Sequence, residues 1–171
     1  MFKFTGVVLG LSVMCASAPL VAQTAEASPL LGPDAGVCRR GDSPSVLVHI
    51  PAFKQRTGKL RVQVYGGNAS DFLAKGKWLR RVDLPVAHSG PMDVCVALPR
   101  PGNYAVAVRH DLDGNGKSGW SDGGGFSRNP SLSLFDLKPE YRKVVIPVGS
   151  STRSVEVFLN YRHGLAISPV R

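Results

Sequence analysis

Cysteine is scarce in this chain, with three in 171 residues, and acidic residues are few, with 12 Asp and Glu against 21 Lys and Arg. Three cysteines cannot form a Cys-rich zinc module or a disulfide-dense miniprotein. The acid shortage excludes a solvating acidic chain and leaves the protein basic, at a formal net charge of +9. Charged residues make up only 19% and hydrophobic ones 43%, which excludes a chain unable to bury a core. Helix-favouring runs are also missing. Glycine (19) and proline (13) are instead abundant, so a coiled coil or helical bundle is excluded and a turn-rich fold is expected. No fixed-period internal repeat is visible.

The one long apolar stretch is at the start. Lys3 precedes an uncharged segment from Thr5 to Thr24, broken by small residues and by Pro19. It is too short and too rich in small residues for a membrane span and reads as a secretory signal peptide, residues 1–22, with cleavage as late as residue 27. Cys15 follows Met14 rather than a small residue, which argues against a lipoprotein signal. The expectation is a periplasmic or secreted protein with no transmembrane segment after cleavage. Removing the leader still leaves a strongly basic protein, suited to anionic envelope glycan or lipid head groups as partners. Export makes nucleic acid an unexpected partner.

Cys38 and Cys95 remain in the mature chain. An even pair in an exported protein suggests one disulfide; two separate thiols are the alternative. Residues 23–44 are rich in Ala, Gly, Pro and Ser and read as an N-terminal arm preceding a domain at 45–171.

Within that domain, apolar residues alternate with period two in run after run. Val46, Val48 and Ile50 form one; Leu60, Val62 and Val64 another; Leu79 to Leu84 is a weaker one. Val94, Val96 and Leu98 follow, then Tyr104, Val106 and Val108, then Val144, Ile146 and Val148, and last Val155, Val157 and Leu159. Turn residues separate them. About seven strands so spaced predict an all-β fold, an antiparallel β-sandwich of immunoglobulin-like or transthyretin-like Greek-key type. Only Ala69 to Lys75 looks helical, with Asn68 or Ser70 as cap. In Pro99-Arg100-Pro101-Gly102-Asn103-Tyr104, a tight bend opens a strand with an aromatic whose hydroxyl can reach the turn backbone.

That strand runs into Asp111-Leu112-Asp113-Gly114-Asn115-Gly116-Lys117-Ser118-Gly119-Trp120-Ser121-Asp122. The spacing matches a twelve-residue Ca2+ loop. Asp111, Asp113 and Asn115 stand at positions 1, 3 and 5, and Gly116 at the sharp turn. Lys117 offers its carbonyl at position 7, and Asp122 stands at position 12. A hard cation needs six or more oxygens, which this set nearly supplies. The competing reading is a Gly-rich connection whose Asp and Asn side chains cap their own turns. Ser118 in place of an apolar residue, the charge of Lys117 and the short Asp122 favour that alternative. Gly123-Gly124-Gly125 lacks the Lys and Ser or Thr of a phosphate-binding loop and reads as mobile or tightly turned backbone.

Lys75, Lys77, Arg80 and Arg81 surround Trp78, a candidate anionic-surface patch. They equally suit an edge strand, where cations prevent edge-to-edge pairing. His110 and Asp111 could suggest a hydrolase, but adjacent strand residues face opposite ways. No serine has a nucleophile-elbow setting, so the chain reads as non-catalytic.

The stretch Pro101-Gly102-Asn103-Tyr104-Ala105-Val106-Ala107-Val108-Arg109-His110-Asp111-Leu112-Asp113-Gly114-Asn115-Gly116-Lys117, followed by Gly125-Phe126-Ser127, resembles the domain of unknown function 2141 family of bacterial exported proteins. The likeness spans about residues 45 to 161. It implies a small exported β-sandwich and no established activity. The Cys38/Cys95 pair and the Gly-Leu-Ala-Ile tail depart from the family pattern. The resulting expectation is an exported module of binding or structural type with a candidate Ca2+ loop. An envelope-surface adaptor for anionic glycan or lipid is the alternative, and a hydrolase using His110 and Asp111 a second one.

Overall fold

A computed structural model describes residues 1–2 and 28–171. The expected signal peptide and the start of the arm lie outside the described residues.

Eleven strands and three short helical segments are present among these residues. β1 (Leu30–Leu31), α1 (Ala35–Arg40), β2 (Ser45–Ile50) and β3 (Lys59–Tyr65) open the chain. A 3₁₀ turn (Ala69–Asp71), β4 (Arg80–Pro85), β5 (Met92–Ala97) and β6 (Gly102–Asp111) follow. Then come β7 (Gly123–Phe126), α2 (Tyr141–Val144), β8 (Val145–Val148), β9 (Thr152–Glu156), β10 (Asn160–His163) and β11 (Ala166–Pro169). No described helix is long and apolar enough to cross a membrane.

The strands form a sandwich. A small sheet has the order β1-β5-β2-β9. A large one has the order β11-β10-β7-β6-β3-β4, with β8 beside the start of β6. Each period-two run buries one face, as the alternation requires. Val46, Val48 and Ile50 on β2, with Val94 and Val96 on β5, are fully buried against Leu60, Val62 and Val64 on β3. In the β3–β6 ladder Leu60 pairs with His110, Val62 with Val108 and Val64 with Val106, so buried residues of neighbouring strands stay level. Tyr104 opens β6 with its hydroxyl donating to Arg100 O at 2.7 Å, as the Pro-Gly turn predicts.

Strands stand at all seven expected places, but the last is shifted: β9 ends at Glu156, so Val157 and Leu159, though buried, lie in the β9–β10 connection. The four additional ones had weak signals: β1 is two residues long, β10 and β11 are polar, and β7 is three glycines and a phenylalanine. The sandwich is also not purely antiparallel, because β1–β5 and β2–β9 run parallel. The N-terminal arm is structured over residues 30–40. β1 extends the small sheet, Asp34 Oδ2 accepts the Ala97 N–H at 2.9 Å, and Cys38 on α1 is bonded to the buried Cys95 on β5 with Cα atoms 5.9 Å apart. The disulfide thus fastens the N-terminal segment to the sheet. The helical expectation at 69–75 reduces to one 3₁₀ turn, capped by the Asn68 side chain, which accepts from the Ser70 N–H at 3.2 Å. It ends at Phe72, whose backbone is extended, and Leu73 follows at φ 59.

The reading of Gly123-Gly124-Gly125 as mobile or turned backbone is wrong. These residues form β7, paired to β6 from Phe126↔Ala107 to Gly123↔His110. The reason is steric. A Cβ on Gly123 would overlap the Tyr161 ring, and one on Gly125 would overlap the Phe158 carbonyl and Val157. Only glycine lets the β9–β10 connection lie this close to the strand. Ser127 completes the segment. Its buried hydroxyl accepts from Val106 N at 3.0 Å and donates to Val144 O, tying β6 to α2.

Candidate metal centre

The loop from Asp111 to Asp122 leaves the end of β6 and returns into β7. Because β6 alternates, Arg109 and Asp111 share its outer face, while His110 turns into the core. Asp111 is the most enclosed of the acids, its side chain 3% exposed. One of its oxygens, Oδ2, accepts from Gly116 N at 2.8 Å and from Arg109 Nη2 at 3.2 Å. The other, Oδ1, is buried with no hydrogen-bond partner. Ligand atoms of Asp111, Asp113 and Asp122 lie within 4.8 Å of one another. Oxygens bound to one Ca2+ at about 2.3–2.6 Å can be no more than about 5 Å apart, so this spread suits a shared ion.

Turn capping occupies part of the same set. Asp113 Oδ1 accepts from Asn115 N at 3.1 Å, and Asn115 Nδ2 donates to Asp113 Oδ2 at 2.6 Å. Asn115 Oδ1 accepts from Lys117 N at 2.7 Å. Asp122 takes Leu112 N at 3.1 Å on one oxygen and Gly119 N at 2.9 Å on the other. Gly116, at φ 80, makes the sharp turn that position 6 requires. The structure therefore brings the three carboxylates together. It engages Asn115 with its neighbours and leaves the Lys117 side chain exposed.

Arg109 is the residue the spacing argument missed. Its guanidinium also donates to Gly116 O at 3.0 Å and Ser118 Oγ at 3.2 Å, bridging the loop from inside. Period two would have found it, since Arg109 and Asp111 are separated by one residue of strand. Burial lowers its pKa, and the nearby charge of Arg61 adds to this. Three carboxylates against the Arg109 guanidinium and the exposed Lys117 ammonium leave the loop with a negative charge in excess. This donor set, hard and oxygen-only, fits a divalent cation of the Ca2+ type.

Residues 48–156 of the chain match the family described as "Uncharacterized protein conserved in bacteria (DUF2141)", over more than half its length. The chain belongs to this family. The DUF2141 description carries no activity, and the match includes the whole acidic loop, β6 and β7. Neither a curated protein nor a solved structure matches the chain.

Two other groups singled out from the sequence are placed differently from the loop. His110 is fully buried between Phe53 and Tyr161, with ring centroids at 5.4 and 5.8 Å. Its Nε2 lies 2.7 Å from Thr57 O and its Nδ1 2.7 Å from Tyr161 Oη. A carbonyl only accepts, so Nε2 donates to Thr57 O, and the second bond joins Nδ1 and the Tyr161 hydroxyl. Both nitrogens are engaged on the face opposite Asp111. In the basic patch, Arg81 lies over the Trp78 ring, 5.4 Å from its centroid, and Arg81 Nε pairs with Asp83 at 2.6 Å. Trp78 itself packs against a second apolar cluster around Tyr65 and Phe126. Lys75, Lys77 and Arg80 remain exposed, and β4 is an edge strand of the large sheet. That position suits cations that blunt an edge.

Proposed function

We propose that this protein is an exported, non-catalytic β-sandwich module whose loop 111–122 binds Ca2+. Asp111, Asp113, Asn115 and Asp122 would supply side-chain oxygens and Lys117 its carbonyl. The observation that carries the reading is the buried, unpartnered Asp111 Oδ1 in a residue that converges with two further carboxylates. A buried acceptor without a partner costs about 1–3 kcal/mol, more when charged, and a cation bound there removes that penalty. The ion would be structural: it would tie the end of β6 to the start of β7 and order the residues between. Export is supported by the leader-like residues 1–22 and by the Cys38–Cys95 disulfide, a bond typical of oxidising compartments.

Calorimetric titration of Ca2+ into the oxidised protein tests the reading, with Asp111→Ala alongside. Saturable binding lost in the variant is the expected result. No heat at millimolar Ca2+ would reduce the loop to a self-capped turn.

A further inference from the structure

The outer face of the large sheet, turned away from the core, holds a cavity of about 870 Å³. That is within the range of small-molecule sites, roughly 300–1,000 Å³. Its floor follows from strand alternation. Of the positions of β3 and β6 that turn away from the core, Arg61, Gln63, Tyr65, Ala107 and Arg109 line the cavity. Arg61 pairs directly with Arg109, and Gln63 with Ala107. The floor is therefore cationic at the loop end and apolar at the other, where Phe126 and Leu132 join Tyr65.

The rim is unusual for a surface. Beyond residues 1–2, the exposed large apolar side chains among the described residues are Leu79, Trp120, Phe135, Leu137 and Leu165. All but Leu79 border this cavity. Large apolar groups gathered at one opening mark a binding site rather than scattered surface. Charge at the mouth is one-sided. Arg61, Arg109, Lys138 and Arg162 line it against a single acid, Asp122, both of whose oxygens accept backbone N–H groups. Arg61 is held by Asp83 and Arg109 by Asp111. Arg162 stacks on Trp120, 3.7 Å from its ring centroid, and has no carboxylate partner among the described residues.

We propose that this cavity binds a single-chain amphiphile with an anionic head. The alkyl chain lies among Leu132, Phe135, Leu137 and Leu165, above the nearly buried Tyr65, Ala107 and Phe126, and the carboxylate or phosphate head sits against Arg61 and Arg162, beside Arg109. Arg61 to Tyr65 spans four residues of strand, roughly 13 Å at about 3.3 Å per residue, which suits a chain of medium length. Gly124 keeps the floor low at the cationic end, level with Arg109 and Arg61: a Cβ there would have only Val108 O nearby, at 3.9 Å, so any side chain would rise into the cavity. The inference does not require a bound ion, although Arg109 and Asp122 belong to the loop site as well and residues 118–120 form one wall.

The test is calorimetric titration of the oxidised protein with laurate, dodecyl phosphate and neutral dodecyl maltoside, each below its micelle concentration. Saturable one-to-one binding of an anionic amphiphile is expected, with the neutral one at least about tenfold weaker. Preference for laurate or for dodecyl phosphate identifies the head group, and either supports the site. Gly124→Leu, which fills the floor, should abolish binding without lowering the melting temperature. Arg162→Ala should weaken binding about tenfold and decides the matter alone if Gly124→Leu fails to fold. The proposal is overturned if neither anionic amphiphile binds, if the neutral one binds equally, or if the variants that fold bind as well as the parent. It is also overturned if binding is seen only to phosphatidylglycerol vesicles and survives Gly124→Leu, since the basic exterior would then be reading a membrane surface.

Discussion

Arg109 and Asp111, two residues apart on the outer face of β6, meet with Nη2 and Oδ2 at 3.2 Å. The same guanidinium holds Gly116 O and Ser118 Oγ. It is thus an internal cation that holds the loop without an ion and competes electrostatically with one. Two unit charges about 4 Å apart interact by about 4 kcal/mol at an effective dielectric of 20, so the competition is large enough to measure. Arg109→Gln should lower the melting temperature in chelator and raise Ca2+ affinity about tenfold or more. Calorimetry and thermal melts with and without Ca2+ check both halves. Weaker Ca2+ binding in the variant would mean that the guanidinium builds the site rather than opposing it.

Gly123 faces the Tyr161 ring on β10, Gly125 faces the β9–β10 connection, and Gly124 faces out. Gly123→Ala and Gly125→Ala should each cost more than about 3 kcal/mol, because the overlapping atoms are an aromatic ring packed in the core and a backbone carbonyl. Gly124→Ala should be neutral or stabilising by a few tenths of a kcal/mol, since it removes unfolded-state freedom without a clash. Urea unfolding of the three variants gives the comparison, and equal costs at all three positions would contradict the packing described.

Reduction of Cys38–Cys95, or Cys38→Ser with Cys95→Ser, releases a loop with a sequence separation of 57. In the chain-entropy picture this lowers stability by roughly 4 kcal/mol. The bond joins α1 to β5, so the first readout is local. Amide exchange should accelerate at residues 30–40 before it does in β2 or β3. Uniform acceleration would show that the disulfide supports the whole sandwich equally.

The Tyr161 phenol, pushed up to about 12 by burial, is hydrogen-bonded to His110 Nδ1. Its folded pKa lies above the ordinary value of 10.0, so its contribution to stability is complete below pH 10 and is lost as pH rises toward 12, where only the unfolded chain has ionised. Melting temperatures of the parent should therefore fall more steeply across that window than those of Tyr161→Phe. At neutral pH the variant should be less stable by about 1–3 kcal/mol, because buried His110 Nδ1 loses its partner. A parallel alkaline decline in both proteins would remove Tyr161 as the cause.

The sandwich was legible because its strands bury one face each. That alternation is written locally, as in Val46, Val48 and Ile50 or Tyr104, Val106 and Val108, and it needs no knowledge of partners. The same holds for the Asn68 cap, the Tyr104 turn contact and the spacing of Asp111, Asp113 and Asp122. β7 was not legible. Glycine in a strand has no propensity to announce it, and the reason for three in succession is supplied by Tyr161 and Phe158, more than thirty residues later. The directions of β1 and β9 were equally hidden, since nothing within a strand says whether its neighbour runs with or against it.

By itself, then, the sequence determined the all-β class, the pairing-competent cysteines, the oxygen-rich loop and the positions of the seven strongest strands, because each depends on contacts or periodicity within a few residues. Tertiary structure alone decided that Arg109 enters the loop, that Asp111 Oδ1 is left without a partner, and that Arg61, Phe126, Trp120 and Arg162 meet around one cavity. Those are relations between strands distant in sequence, created only when β3, β6, β7 and β10 lie side by side and turn their unburied faces the same way.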